Sequence, residues 1–349
     1  SLYDYENNYR TESYLARVRY NYKEKYNLEA SFRRDGSSRF HKDNRWGNFG
    51  SIGANWMISE EEFMKDITWL NSLKLRANWG IVGNDAGSSY YGYMALYNNT
   101  QNANQGAYYL NQNESYNLKW EGSEAFGFAA EGRLFNRWNI SLEYFDKRNK
   151  DLLFNVNLPL SAGGTSNSDT GKLASVLMNM GTISNRGWEI NTDVDIYKNK
   201  DWKINLAANA TYIKNKITKL PDQYKDGYID GTKRLEEGRG RYDFYLYTFE
   251  GVDQMTGQSL YKANLTDNCI KDASGNVIAG NPEGSDITEN VTTINGKHYV
   301  HKTTYAQKEY HGSALPKVYG SFTPSIQYKS LALNAVLTYS LGGKTYDGV

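Results

Sequence analysis

Arginine is concentrated in one early run, Arg33-Arg34-Asp35-Gly36-Ser37-Ser38-Arg39. Asp-Gly favours a tight turn, so this run is predicted to be the end of a strand that enters a turn, with guanidinium groups gathered there. Arg33 and Arg39 are therefore candidates for contact with a ligand. The alternative is that both pair with neighbouring acids and serve the fold only.

A second candidate is the stretch 83–116, which is rich in Tyr, Asn, Gln and Gly. Aromatic faces beside side-chain amides suit sugar rings and hydroxyl groups, and they also suit extended peptides. A surface loop that packs only upon itself would need similar residues. The candidate contacts with a substrate or partner in this stretch are Tyr90, Tyr91, Tyr93, Tyr97, Tyr108 and Tyr109.

Catalytic and metal-binding patterns are weak by comparison. His298 and His301 are three residues apart and His311 follows, but no carboxylate or thiolate stands beside them at the spacing of a metal site. The sequence has no G-x-S-x-G elbow and no Walker loop. We predict no metal, no cofactor and no enzymatic activity.

Strands must position these residues, because long segments alternate strictly between apolar and polar side chains. In residues 202–213 the apolar face is Trp202, Ile204, Leu206, Ala208, Ala210 and Tyr212. The pattern recurs in segments that begin at Tyr26, Leu73, Trp138, Trp188 and Leu331. Alternation over about nine to eleven residues, with Trp and Tyr at the ends, is typical of a strand that crosses a bilayer.

The charges decide which face meets lipid. Lys or Arg facing the middle of a bilayer costs a barrel strand roughly 2–4 kcal/mol. The charged faces must therefore line the interior of a barrel, and the apolar faces must meet lipid.

Composition and charge limit the classes of protein to which the chain can belong. The 349 residues carry 40 basic and 39 acidic side chains, interspersed, so nothing indicates a nucleic-acid partner. Only 39% of residues are hydrophobic, and no run of about 20 apolar residues could make a membrane helix. This leaves a barrel open, because a barrel strand shows only every second residue to lipid. Cys269 is the single cysteine, so no disulfide framework is expected.

Connections alternate between short and long. Tight turns are predicted at 23–25, 136–137, 198–201 and 329–330, and long excursions at about 35–45, 83–116, 150–186 and 215–316. Bacterial barrels have short periplasmic turns and long outer loops, so the alternation orients the wall. Residues 59–71, on the short-turn side, are predicted to contain a short helix capped by Ser59.

About ten spanning strands follow from this scheme, with a further candidate hairpin at 242–252 and 258–263. An open sheet edge in hydrocarbon would leave unpaired backbone groups, so we expect missing strands on at least one side. No linker divides the chain, and residues 1–349 are expected to be part of one barrel domain. Ser1 to Arg10 do not resemble a secretory signal, so either the mature protein begins here or the chain is a piece of a longer one.

Several runs resemble a known family, in order along nearly the whole chain. They include Ala30-Ser-Phe-Arg-Arg-Asp-Gly-Ser-Ser-Arg-Phe, Leu73-Lys-Leu-Arg-Ala-Asn-Trp-Gly, Tyr144-Phe-Asp-Lys-Arg-Asn-Lys-Asp-Leu-Leu, Asn185-Arg-Gly-Trp-Glu and Leu315-Pro-Lys-Val-Tyr-Gly. These runs resemble the SusC/RagA-like family of TonB-dependent outer-membrane transporters.

The resemblance implies an all-β fold, an antiparallel transmembrane β-barrel of the 22-strand class with a plugged lumen. This chain would supply about ten to twelve of its strands, without the N-terminal plug domain and without the final strands after Val349. Arg33 and Arg39 would then contact ligand or plug.

The resemblance also implies active import of an oligosaccharide or peptide across the bacterial outer membrane, whose lipid would surround the wall. A SusD-like lipoprotein would dock on the outer surface formed by residues 215–316, although disordered decoration is an alternative for that region. The TonB-ExbB-ExbD complex would pull through the missing N-terminal region.

Two other classes of protein stay open at this point. One is a soluble or surface-attached β-sandwich that binds polysaccharide, and the other is a secreted β-helical glycosidase. A sandwich buries its apolar face against a second sheet. Exposure of the apolar face would therefore distinguish a barrel wall from a sandwich.

Overall fold

The computed structural model describes residues 6–102, 105–157, 175–264, 270–271, 277–279 and 292–347. Its regular structure is almost entirely strand. The first twelve strands are β1 (Thr11–Tyr22), β2 (Tyr26–Ser37), β3 (Trp46–Met57), β4 (Leu70–Asn84), β5 (Leu96–Asn102), β6 (Gln105–Gln112), β7 (Glu121–Leu134), β8 (Trp138–Lys150), β9 (Leu153–Asn157), β10 (Ser175–Asn179), β11 (Thr182–Lys198) and β12 (Trp202–Lys219).

Shorter strands follow, and three more strands end the described chain. The short strands are β13 (Tyr228–Asp230), β14 (Lys233–Leu235), β15 (Asp243–Tyr247), β16 (Phe249–Val252), β17 (Ser259–Lys262), β18 (Ile270–Lys271), β19 (Val277–Ala279), β20 (Thr292–Ile294), β21 (Lys297–Val300) and β22 (Lys308–Ser313). The last are β23 (Val318–Tyr328), β24 (Leu331–Asn334) and β25 (Leu337–Leu341).

The chain forms two compact units, residues 1–225 with 316–342, and residues 226–315 with 343–349. No helix in the described chain is both long and apolar enough to cross a membrane.

The first unit is built on one antiparallel sheet, which we call the wall. Its order is β1-β2-β3-β4-β7-β8-β11-β12-β23, and β24 and β25 both pair with β23. Those two strands keep a single register against β23, so they occupy one position. The wall therefore has ten spanning positions, which confirms the predicted count of about ten.

Proline explains why the tenth position is split. The amide of Ala335 donates to the carbonyl of Pro324 at 3.1 Å, so Pro324 turns its backbone groups toward this neighbour. Proline has no N–H to return the second bond of that pair. The ladder is interrupted between Asn334 and Leu337, opposite the proline.

The apolar face is continuous from strand to strand. On β12, Leu206 lies opposite Val194 on one neighbour and Pro324 on the other, and Ala210 lies opposite Ile190 and Gly320. The face is not covered by a second layer, as large side chains upon it are exposed: Val18 is 68% exposed and Leu333 is 69% exposed. A sandwich would bury them, so the predicted barrel wall is confirmed over the sandwich.

Aromatic residues edge this face at both ends of the strands. Near the short turns Tyr26 stacks on Trp56, with ring centroids 6.2 Å apart, and Trp202 packs on Tyr328 at 4.6 Å. Trp202 and Tyr212 lie at the two ends of the apolar face of β12. Their ten-residue separation is about 33 Å along a strand, or about 25 Å across a bilayer at a tilt of roughly 40°. That height matches the apolar band of an outer-membrane barrel.

The opposite face is polar and concave. Arg76 links two neighbouring strands, with its guanidinium 3.3 Å from Glu131 and 2.9 Å from Glu143. Asn209 donates to the Ser321 hydroxyl at 2.7 Å. A groove of about 660 Å³ follows this face and is lined by residues from seven strands, among them Lys74, Glu131, Asn191, Asp193 and Ser321. The charged face therefore lines the interior.

A β-bulge near the end of β11 interrupts the strict alternation of its side chains. Asp195 pairs with Asn205, and the next pair is Tyr197 with Ile204, so Ile196 is an extra residue. Counting by twos places Ile196 on the apolar face beside Val194, but Tyr197 takes the position opposite Ile204. A bulge adds one residue and reverses the parity beyond it.

The predicted tight turns are present. Lys23 and Glu24 have φ of 53° and 58°, and Phe135 and Asn136 have 53° and 57°, the positive values that the two central residues of a type I′ turn require. The predicted capped helix at 59–71 is wrong. Two three-residue 3-10 turns, Ile58–Glu60 and Glu62–Met64, stand there instead, and neither has a side-chain cap.

The second unit holds its own sheets, β13-β14-β15-β22 and β16-β17-β21-β20, with β18 and β19 pairing separately. The candidate hairpin at 242–263 is β16 paired with β17, while β15 pairs with β22. It does not add to the wall. The described part of the 215–316 connection is thus folded.

Candidate functional site

The predicted contact residues lie in the connections at the long-loop end of the wall, except for Arg33, which lies on β2. We call residues 38–45, 85–120 and 151–181 the loop layer, of which 103–104 and 158–174 lie outside the described residues. Its described strands form the sheet β5-β6-β10-β9. Each connection contributes to one buried core of Phe40, Leu118 and Leu177, with Tyr93, Trp120 and Leu153 packed against it.

Arg39 fixes two of these connections to each other. One guanidinium nitrogen, Nη1, donates to the carbonyls of Asp85 at 2.9 Å and Ser88 at 3.1 Å. The guanidinium also lies over the rings of Tyr9 and Tyr90, 4.7 and 5.1 Å from their centroids. The largely buried guanidinium is thus occupied by contacts within the protein.

Asp85 is the partner that the sequence did not indicate. Its Oδ2 accepts from the Ser37 hydroxyl at 2.6 Å and from the Tyr9 hydroxyl at 2.8 Å. Partial burial, and then the hydrogen bond to this carboxylate, raise the pKa of Tyr9, which keeps its proton at neutral pH. Asp85 is 48 residues from Ser37 and 76 from Tyr9, so no local spacing could reveal the cluster.

Arg33 lies apart from this cluster. Its Nε is 2.7 Å from Asp35 Oδ1, on the same strand and two residues away, and its side chain is 56% exposed. Asp35 is buried, so the pair is open to solvent only on the side of the arginine. The arginine motif therefore divides into one residue that joins loops and one that stays open to solvent.

Three of the candidate tyrosines serve the packing of the loop layer. Tyr90 packs at 5.9 Å from Tyr9 beneath Arg39, and the Tyr91 hydroxyl accepts from the backbone amide of Asn8 at 3.2 Å. Tyr93 packs against the buried core and the ring of His41. These contacts stabilise the layer, and Tyr90 is 38% exposed while making them.

Tyr97 and Tyr108 differ, because they stand out from the β5–β6 hairpin. They belong to adjacent pairs on one face, Tyr97 with Leu110 and Asn99 with Tyr108. Tyr97 is 63% exposed and Tyr108 is 76% exposed. Tyr109 belongs to the opposite face, where its hydroxyl accepts from the Asn98 amide at 3.1 Å. Of the six tyrosines, the structure brings Tyr97 and Tyr108 together as an open aromatic surface beside Asn99.

Each of the three histidines weighed as metal ligands has its own polar neighbour. His298 faces the Thr293 hydroxyl at 2.9 Å, His301 the Ser259 carbonyl at 3.1 Å, and His311 the Thr248 hydroxyl at 3.2 Å. Within the described residues no three His, Cys, Asp or Glu side chains are grouped as a metal site requires.

Comparison with known proteins agrees with this architecture. Residues 2–237 match the family model described as TonB dependent receptor-like, beta-barrel. The chain belongs to this family. The resemblance to SusC/RagA-like proteins is also confirmed, since the TonB-dependent receptor SusC of Bacteroides thetaiotaomicron is 31% identical over 235 residues, which are 65% of this chain and 23% of SusC.

Longer alignments cover nearly all of the chain. The TonB-dependent receptor P26 of Formosa agariphila is 31% identical over 352 aligned positions, 96% of this chain and 32% of the relative. The structure of the RagAB peptide importer in the closed-closed state superposes with a TM-score of 0.77 at 25% identity, covering 96% of this chain and 34% of that chain. The chain spans about a third or less of the length of these relatives.

Proposed function

We propose that this chain is part of a bacterial outer-membrane transporter that actively imports an oligosaccharide or peptide. The observation that carries the proposal is the two-faced wall, with an exposed apolar face between aromatic rows and a charged, concave face behind it. This division fits lipid on one side and an aqueous passage on the other. The protein would move its cargo without breaking a bond in it.

The relatives support the same proposed function. RagAB is a peptide importer, and the relatives from Formosa agariphila and Bacteroides thetaiotaomicron are TonB-dependent receptors. We propose by analogy that a SusD-like lipoprotein works with the complete protein on its outer side. The TonB-ExbB-ExbD complex would supply the energy through a segment that lies outside this chain.

We propose that Tyr97 and Tyr108 contact the cargo or the lipoprotein, because both rings are exposed on one face of a hairpin. An exposed pair of rings offers stacking to sugars and to peptide side chains, and Asn99 between them offers hydrogen bonds. Tyr109 would shape the other face of the hairpin. Arg39, Tyr90, Tyr91 and Tyr93 would hold the loop layer, and Arg33 would be a second solvent-facing contact.

Uptake in cells that carry the complete gene tests the proposal. Cells would be given fluorescent peptide and oligosaccharide pools, with and without a functional TonB protein. Uptake of one pool that requires both the gene and TonB is the expected result, and the pool taken up identifies the class of cargo. Equal uptake in cells lacking the gene would overturn the transport proposal.

A double variant tests the aromatic surface. Tyr97→Ala with Tyr108→Ala should weaken cargo or lipoprotein binding about tenfold, since each aromatic contact contributes roughly 0.5–1.5 kcal/mol. Phe63→Ala is the matched control, because Phe63 is an equally exposed ring, 67%, at the short-turn end. Equal binding by the double variant and the control would remove these two tyrosines from the site.

A further inference from the structure

A row of cations lies on the lipid-facing side of the wall, just beyond the aromatic residues at the long-loop end. We call it the basic rim. Strand register makes its members neighbours: Arg186 lies opposite Lys214, and Ser184 lies opposite Arg148 on one side and Lys216 on the other. The rim consists of Arg148, Lys150, Arg186, Lys214 and Lys216.

The parity of the strands places the rim on the apolar face. Each of these cations is separated by an even number of residues from an apolar-face aromatic on its own strand: Tyr144 on β8, Trp188 on β11 and Tyr212 on β12. Tyr144 and Trp188 pack with centroids 5.1 Å apart, and Trp188 pairs with Tyr212. A molecule touching the rim would therefore lie at the border of the apolar band.

The rim carries more positive charge than the protein itself neutralises. Arg148 is 2.8 Å from Asp146, and Lys150 pairs with Glu124. Arg186 lies opposite Asp146, which Arg148 already occupies. Within the described residues no carboxylate forms an ion pair with Lys214 or Lys216. Five cations against two carboxylates leave an excess of three positive charges.

The charge of the basic rim and its position beside the apolar face together indicate which kind of molecule binds there. An anionic group must meet the rim, and apolar chains must lie along the exposed apolar face directly below it. A soluble anion would satisfy the first requirement only. Phosphate suits Arg and Lys together, since guanidinium donates in a fork and ammonium acts as a compact charge.

We propose that the basic rim binds the phosphate groups of a multiply acylated, phosphorylated lipid in the outer leaflet. The inference rests on the proposed placement of the protein in the outer membrane. Arg186 and Lys214 would hold one phosphate across the β11–β12 pair, and Arg148 and Lys216 would flank it. The acyl chains would cover the aromatic row and the apolar residues beneath it.

The test uses the complete protein in two kinds of lipid nanodisc. One contains phosphatidylcholine alone, and the other contains phosphatidylcholine with a small fraction of diphosphoryl lipid A. Lipid retained by the protein after extraction into detergent is counted by native mass spectrometry. The variant is R186Q/K214Q/K216Q, and the matched control K23Q/K200Q/K329Q removes three lysines from the short turns.

Retention of lipid A by the wild type and the control, and at least a tenfold loss in the rim variant, is expected from about fivefold per surface charge. Equal retention by all three proteins would overturn the inference. So would full displacement of the lipid by millimolar inorganic phosphate, because the rim would then be a site for a soluble anion.

The two proposals fail differently. If the protein enters both nanodiscs but retains no lipid A, only the rim inference is wrong. If it enters neither nanodisc, the membrane placement itself is wrong.

Discussion

Arg39 shows how much of the loop layer depends on single side chains. Its guanidinium satisfies two carbonyls, those of Asp85 and Ser88, and covers the rings of Tyr9 and Tyr90. These partners come from distant parts of the chain, and the loop between β4 and β5 has no ladder of its own at this point. The arginine therefore replaces backbone pairing as the link between connections.

Arg39→Ala should loosen residues 85–93 by about 1–3 kcal/mol, because two carbonyls lose their charged donor. Hydrogen exchange of the full-length protein measures this as faster exchange across that segment. Arg33→Ala is the matched control, since Arg33 pairs only with Asp35 and is largely exposed. Unchanged exchange in Arg39→Ala, together with lost cargo binding, would instead make Arg39 a ligand contact.

A carboxylate in the second unit should make that unit sensitive to acid. The hydrogen bond from Lys262, and then that from Thr248 at 3.1 Å, hold the pKa of Glu309 below its ordinary value of 4.5. A lowered folded-state pKa stabilises the fold above the unfolded-state pKa, and the contribution is lost as pH falls through the lowered value.

We therefore expect the protection factors of the β17 and β22 amides, which correct exchange for its intrinsic pH dependence, to fall about two- to fivefold between roughly pH 6 and pH 3.5, as for an exposed pair. Glu309→Gln should have lower protection factors than the wild type at pH 6, and these should show little further change on acidification. An equal pH response in Glu309→Gln and the wild type would assign the effect to another group.

At the scale of the element, adjacent residues of one strand have opposite environments. Ala207 lies opposite Asp193 and Thr323 on the charged face. Ala208 lies opposite Thr192 and Phe322 on the apolar face. Both are alanines, and they are consecutive residues of β12. They differ in the face of the wall on which the side chain lies.

Ala208→Arg should destabilise the membrane-inserted protein by about 2–4 kcal/mol, because its charge would face the bilayer. Ala207→Arg should cost far less, since its charge would enter water beside Asp193. Unfolding of both full-length variants in urea from lipid vesicles measures the difference. Equal destabilisation would mean that the two faces are assigned wrongly or that neither meets lipid.

Individual strands also show where the assignment of faces from alternating residues fails. The alternation of Trp202 to Tyr212 predicts its strand and both faces correctly, because side chains in a strand point alternately to opposite sides. Ile196 is the counterexample to alternation, and the predicted helix cap at Ser59 fails for a separate reason. A bulge displaces Ile196, and Ser59 lies within a 3-10 turn rather than at the cap of a helix.

At the scale of the whole molecule, the exposed apolar face decides how the protein must be handled. Side chains such as Val18, Trp188 and Leu333 would stand in water without a membrane. The full-length protein should therefore require detergent or lipid, and it should be recovered from the outer-membrane fraction of cells. Light scattering after removal of detergent checks this as aggregation, and a monodisperse protein in plain buffer would contradict the membrane placement.

The sequence by itself determined the wall, its two faces, its alternation of short and long connections and its family. Those features are local or periodic. Alternation with a period of two residues can be recognised within one segment, without knowing which strands lie beside it. It also indicated the loop tyrosines and arginines as a set, but not their division into packing and exposed residues.

Only the tertiary structure made that division. Arg39 meets Asp85, Tyr97 and Tyr108 share one face of a hairpin, and the basic rim forms across three strands. Each depends on which residues strand pairing and loop packing bring together from distant positions in the chain. The composition and spacing of one segment do not predict those partners, because the contacts depend on the register between segments.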